Sequence, residues 1–328
     1  MVRIAILGAG NIAGIMAETL NGMKAAGNDR FFMYAVAARD KKRAEAFAHA
    51  YGFEKFYGSY EEMVQDDRVD LVYIATPHSH HADHIRLCLE HGKHVLCEKS
   101  FTVNAKQARE VLHMAEEKKL LLTEAIWTRY MPMRKMIREE IDSGIIGRTC
   151  MLTANLGYSI AGKERLKKPE LAGGALLDVG VYPLNFAVMA FGDDIEGIDS
   201  SVQLTDLGVD AQESITFRYR DGRMAVLNAT MTGMSDRKGI IYGDKGYMEI
   251  ENINNPQKIT VYGSDREIVK EIACPEQITG YEYEVESCIE ALEKGWIECP
   301  QMPHEETIRM MEMMDGLRKS WGITYPGE

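Results

Sequence analysis

The sequence predicts an α/β protein in two parts: a doubly wound parallel sheet, then an α+β domain with a large, mainly antiparallel, open-faced sheet. Three observations carry this. The chain opens as strand, glycine turn, helix. Strand and helix patterns then alternate to about residue 124. Beyond that point come short strands joined by hairpin signals. A length of 328 residues suits two domains.

The opening is the most informative stretch. Val2-Arg3-Ile4-Ala5-Ile6-Leu7 is an apolar strand, and Gly8-Ala9-Gly10-Asn11-Ile12-Ala13 follows at once. Gly8 permits the tight turn, Gly10 lets a pyrophosphate approach the backbone, and Ala13 fills the small position where helix meets strand. The helix start at Asn11 and Ile12 offers free N–H groups to phosphates. The rest of this half reads as strand 33–38, helix 41–50, a short strand 55–57, a helix to Val64 capped by Ser59 with Glu62 as its capping-box partner, and strand 69–75. Helix 81–90 follows, then strand 94–97, helix 104–118 capped by Asn104, and strand 120–122. The expectation is a Rossmann dinucleotide-binding domain over 1–124 and a substrate-binding and oligomerisation domain over 125–328.

The second half reads as helix 132–143, strand 149–156 and an apolar helix 175–191 that Pro183 can kink. Strands follow at 201–204, 214–219, 224–231, 239–242, 247–251, 258–262 and 268–273, with Asp221-Gly222 and 243–246 as turns. Helices 283–296 and 305–321 close the chain, their methionines serving as core filling. With one sheet face left open, a homodimer or higher homo-oligomer is expected.

Composition narrows the partners. Net charge is −12, which argues against nucleic acid and anionic membrane. Residues 1–124 carry 16 basic and 17 acidic residues, and the remainder 22 and 33, so the half expected to hold an anionic cofactor is nearly neutral. No apolar run is expected to span a membrane. With a strand beginning at Val2, no signal peptide is expected. Six scattered cysteines suit buried free thiols, and the simplest reading is a cytoplasmic protein.

Ligands of parallel sheets bind beyond the carboxyl ends of the strands, so candidates are read there. After the second strand comes Ala38-Arg39-Asp40. Arg39, with Arg43 one turn on, suits a 2′-phosphate and hence NADP; the alternative is Asp40 as the ribose acid of an NAD site. After the fourth strand comes Thr76-Pro77-His78-Ser79-His80-His81; the spacing lacks a metal-site pattern, and no metal is expected. Glu98-Lys99 ends the fifth strand, facing a nicotinamide or forming a surface ion pair. Trp127 and Arg129 follow the last strand and could lie over the cofactor. In the second half, Asp178 and Tyr182 are four apart on one helix face, where they line a cavity or serve as cap and core. The loop 157–169, with Tyr158, Lys163, Arg165 and Lys167, is expected to line the pocket.

These stretches, Gly8 to Ala13, Thr76-Pro77 with His81, Glu98-Lys99 and Gly173 to Tyr182, resemble the Gfo/Idh/MocA family of oxidoreductases along the whole chain. Ala37-Ala38-Arg39-Asp40, Glu124-Ala125-Ile126-Trp127-Thr128-Arg129 and the Gly-Gly-Ala-Leu-Leu-Asp-Val-Gly-Val-Tyr run are similar to its branch of dimeric dihydrodiol and NADP-dependent D-xylose dehydrogenases. The resemblance implies Lys99 and Tyr182 as the catalytic pair, Asp178 in support, and Arg39 and Arg43 on the 2′-phosphate. It implies a sugar, polyol or trans-dihydrodiol substrate, with a cyclitol or keto-sugar, or a cofactor-binding regulator without turnover, as alternatives. The wider family usually has proline where this chain has Ser100, and many members have histidine where it has Tyr182. A phenol is a poor base at neutral pH unless a nearby ammonium favours its phenolate. That is the part a lysine would play beside Tyr182, while also polarising the substrate oxygen.

Overall fold

The opening apolar run forms β1 (Val2–Leu7), and the glycine turn leads into α1 (Asn11–Ala25), in the computed structural model, which describes residues 1–328. Five more strands follow: β2 (Phe31–Ala37), β3 (Lys55–Tyr57), β4 (Leu71–Ile74), β5 (His94–Glu98) and β6 (Leu122–Ala125). They pair in parallel in the order β3-β2-β1-β4-β5-β6. All four residues of β4 are buried, as helices on both faces require. Those helices include α2 (Lys41–Tyr51), α3 (Tyr60–Val64), α4 (His81–Glu90) and α5 (Ala105–Lys118). Side chains fix three of their starts: Asp40 accepts from Lys42 N at 2.9 Å, Ser59 from Glu62 N at 3.1 Å and Asn104 from Gln107 N at 2.9 Å. Because β1 has β2 on one side and β4 on the other, the winding reverses beside β1. That reversal is where such sheets open a ligand crevice.

The second sheet begins after α6 (Pro132–Asp142), with β7 (Thr149–Gly157). Next come α7 (Glu164–Lys167), a π-helical turn (Leu176–Gly180) and α8 (Val181–Phe191). The strands β8 (Ile195–Leu204), β9 (Asp210–Tyr219), β10 (Met224–Thr230), β11 (Gly239–Gly243), β12 (Gly246–Ile250), β13 (Lys258–Gly263) and β14 (Ile268–Ala273) complete it. The order is β14-β13-β12-β11-β7-β10-β9-β8, and β7 with β10 is the parallel pair in an otherwise antiparallel sheet.

Two expectations change here. The helix expected over 175–191 is a π-turn followed by an α-helix, and Pro183 falls in the first turn of α8. The stretch Pro169–Phe191 is also long and apolar enough to cross a membrane by length and composition, contrary to the sequence expectation. Within the fold, 94% of its most apolar window is buried. It is a core element: α8 packs on β7 and β10, with Leu184, Phe186 and Ala187 inside. Each large apolar side chain buried in this way contributes about 1.5–3 kcal/mol.

The chain forms two compact units, Met1–Tyr130 with Gln277–Glu312, and Met131–Glu276 with Met313–Glu328. This replaces the single break expected after residue 124. The returning segment carries α9 (Glu282–Lys294) and the first half of α10 (His304–Trp321). It is held to the first unit by contacts distant in sequence: Arg30 pairs with Glu286 and Glu293, each at 2.7 Å, and Leu122 N donates to Ile297 O at 3.1 Å.

Candidate functional site

The parallel register aligns the carboxyl ends of the first sheet. Leu7 lies opposite Ala37 and Ile74, Ile74 opposite Cys97, and Glu98 opposite Ala125. The residues that follow each strand, Gly8, Ala38, Thr76, Lys99 and Trp127, are therefore brought to one edge of the sheet. Most of the candidate residues of the first half lie along that edge.

The glycine turn fits a dinucleotide phosphate. Gly8 has φ +108°, and a Cβ there would lie 2.9 Å from Ala75 O, so glycine is required. At Gly10 a Cβ would meet nothing within 4 Å. The helix that begins at Asn11 and Ile12 has no side-chain cap and no acid in its first turn. Its N–H groups and positive dipole end thus face open space beside a glycine. Arg43 spans the turn from behind, donating to Ala9 O from Nε at 3.0 Å and from Nη2 at 2.7 Å. Arg39 is exposed, whereas Ala38 is buried. Asp40, the alternative ribose acid, accepts from the backbone as the cap of α2. Burial raises the Tyr60 phenol above its ordinary value, and the charges of Arg39 and Arg43 oppose that rise, so both guanidinium groups lie near Tyr60.

Beyond β4, the histidines turn inward to named partners. His81 is fully buried, with Nε2 2.7 Å from Thr76 O and Nδ1 2.9 Å from Ser100 O. Two carbonyl acceptors favour the imidazolium, but burial is the larger effect and lowers the pKa to about 4. The neutral ring then donates to one carbonyl at a time. His84 Nδ1 lies 2.9 Å from Thr76 Oγ1, and its pKa is likewise lowered to about 4 by burial. Thr76 and Pro77 are thereby tied to α4 and to the Lys99–Ser100 segment, whose peptide bond is cis.

At the end of β5, Glu98 is buried and accepts a hydrogen bond from Tyr73 OH. Lys99 is half-buried. After β6, Trp127 is buried and stacks on Tyr281 with ring centroids 4.2 Å apart. Arg129, 2% exposed, pairs with Glu306 at 2.5 Å. Burial pushes the neighbouring Glu124 up to about 7.

In the second unit, Asp178 lies in the π-turn and Tyr182 in the first turn of α8, 5% and 7% exposed. Arg165 donates to both Asp178 oxygens, at 2.9 Å and 3.1 Å. The sequence pointed to Arg165 as a pocket residue and missed this pairing. The available signal was the acid itself, since a carboxylate in so apolar a run needs a partner. In the same loop, Tyr158 OH accepts from Asn254 Nδ2 at 3.0 Å.

Comparison with known proteins agrees with this fold. Residues 2–126 match the family described as "Oxidoreductase family, NAD-binding Rossmann fold", and residues 135–249 match the "GFO/IDH/MocA C-terminal domain". The chain is similar to the trans-1,2-dihydrobenzene-1,2-diol dehydrogenase of Xenopus tropicalis, 33% identical over 327 residues and covering 98% of each chain. It is also similar to the D-xylose 1-dehydrogenase (NADP(+)) of Hypocrea jecorina, 35% identical over 362 residues, covering 98% of this chain and 92% of the relative. Among solved structures, a 3-ketoreductase from Actinomadura kijaniata in complex with NADP has a TM-score of 0.84 and 25% identity, covering 97% of each chain. Matched by the models of both family domains and by relatives along nearly its whole length, the chain belongs to the Gfo/Idh/MocA family and is an oxidoreductase.

Proposed function

We propose that the chain is an NADP-dependent dehydrogenase moving a hydride between nicotinamide and a carbinol or carbonyl of a sugar, polyol or trans-dihydrodiol. The observation that carries this is the kinship over 98% of the chain with a dihydrodiol dehydrogenase and an NADP-dependent xylose dehydrogenase. In this reading Gly8, Gly10, Asn11 and Ile12 hold the pyrophosphate, and Ala38, Arg39 and Arg43 take the 2′-phosphate side. Thr76, Pro77, His81 and Glu98 shape the nicotinamide side, while Trp127 and Arg129 brace the end of β6. Asp40, occupied as a cap, supports NADP over NAD.

The bound nicotinamide supplies or accepts the hydride. Lys99 donates a hydrogen bond to the substrate oxygen and stabilises the charge that develops there. Tyr182 gives a proton to that oxygen in reduction and takes it in oxidation. Asp178, fixed by Arg165, supports Tyr182. If Lys99 and Tyr182 serve one substrate, their single and double variants show non-additive losses in kcat/KM. Additive losses would separate the two roles.

An assay of nicotinamide absorbance with a panel of aldoses, cyclitols, keto-sugars and trans-dihydrodiols tests the substrate class. Turnover confined to keto-sugars or cyclitols would favour the second reading, which the likeness to a 3-ketoreductase supports. NADPH binding without turnover of any member would instead indicate a regulator. For the oligomer, we assign the exposed face of the second sheet to contact with another copy. Met151 and Met224 are 38% and 40% exposed there, Tyr247 stacks on Tyr262 across β12 and β13, and Tyr242 lies beside Tyr247 on β11. Light scattering showing a monomer at micromolar concentration would refute this.

A further inference from the structure

Two buried carboxyl groups of β9 lie against the segment that carries Asp178 and Tyr182, and neither belongs to the chemistry described above. Asp210 is fully buried, and its Oδ2 accepts from Leu176 N, the first N–H of the π-turn. The fit is tight, because Gly174, at φ +117°, would place a Cβ 2.2 Å from Asp210 Oδ1. Tyr325 OH closes the same corner by donating to Gly173 O at 2.6 Å. Glu213, three residues along β9, is 5% exposed, and neither of its oxygens has a hydrogen-bond partner. It sits against Gly180, where a Cβ would lie 2.4 Å from Oε1. Gly180 is the last residue of the π-turn, two before Tyr182. A buried carboxyl group without a partner is costly to keep, so its retention at this contact calls for a role.

We propose that Asp210 and Glu213 are positioning residues for Tyr182: Asp210 fixes the start of the π-turn through Leu176 N–H, and Glu213 sets its end by packing against Gly180. The inference rests on the assignment of Tyr182 to proton transfer. Burial and the neighbouring Asp210 both push the Glu213 carboxyl up, consistent with a neutral group acting by shape rather than charge.

The test is a double-mutant cycle between Gly180 and Glu213, with Asp210 variants beside it, on the full chain with NADPH and a substrate found in the panel. We expect E213Q, which keeps the shape, to hold kcat within about threefold, and E213A to lower it roughly tenfold or more with NADPH affinity unchanged. G180A should cost roughly tenfold in the parent and little in E213A, where the carboxyl it strikes is gone. D210A should lower kcat and speed hydrogen exchange in the peptide covering 174–182, and D210N should restore both. Equal cost of G180A in both backgrounds, or unchanged exchange in D210A, overturns the proposal. Exchange does not depend on activity, and Tyr182→Phe is assayed alongside. Normal turnover in that variant defeats the assignment of Tyr182 while leaving the β9 contacts to be judged by exchange.

Discussion

Arg165 grips Asp178 through two parallel hydrogen bonds, at 2.9 Å and 3.1 Å, with the acid buried and the arginine side chain 39% exposed. The pair joins α7 to the π-turn. Removing the arginine takes two charge-assisted hydrogen bonds from a buried carboxylate, so Arg165→Ala should cost about 1–3 kcal/mol in urea unfolding. Arg165→Lys, which cannot reproduce the planar fork, should restore only part of that. Unchanged stability in the alanine variant would mean the pair is not formed in solution.

Tyr182→Phe keeps the ring that packs in α8 and removes only the hydroxyl. Turnover should fall by roughly 10²–10⁴-fold, with NADPH affinity by fluorescence titration nearly unchanged. Near-normal turnover would remove Tyr182 from the chemistry.

Arg39→Ala should weaken NADPH by about 1.5–3 kcal/mol, the worth of a hydrogen bond to a charged group, and leave NADH almost untouched. Calorimetric titration with both nucleotides checks it. Equal losses would show that Arg39 does not read the 2′-phosphate.

The two glycines of the turn should separate stability from binding. Gly8→Ala forces a left-handed φ on alanine and drives its Cβ onto Ala75 O, so it should cost roughly 1–3 kcal/mol of stability. Gly10→Val enters open space and should leave unfolding unchanged while abolishing NADPH binding. A Gly10→Val protein that still binds NADPH would move the phosphate site elsewhere.

Acid should destabilise the fold through His81. Its pKa is about 4 in the folded protein, against an ordinary 6.5, so the unfolded chain binds the extra proton between those values. The stability it supports is complete above about pH 6.5 and lost as pH falls toward 4, by roughly 3 kcal/mol in all. His84, also held at about 4 by burial, adds to the loss. The His81→Gln variant should show a flatter fall in urea stability between pH 7 and 4.5 than the parent, and parallel curves would contradict the assignment.

Features governed by local backbone chemistry were legible in the sequence. Gly8 announces a turn because other residues fit it poorly, and Ser59 and Asn104 announce helix starts because their side chains reach their own backbone. Strand ends were blurred by up to six residues, most at β8, expected over 201–204 and found at Ile195–Leu204. Hydrogen bonds to neighbouring strands, not hydropathy, decide where pairing stops. Arg39 and Asp40 were ambiguous until the cap on α2 showed where the acid is committed. The Arg165–Asp178 pair spans an irregular loop with no period to reveal it. The burial of Arg129 depends on Glu306, 177 positions away.

The return of residues 277–312 to the first unit bears on how the protein is made. A ribosome releases Met1–Tyr130 long before α9, so the nascent nucleotide-binding half waits, with part of its surface uncovered, until residues 277–312 have emerged. A recombinant fragment ending near Tyr130 should therefore aggregate. One that appends 277–312 through a flexible tether should remain in solution.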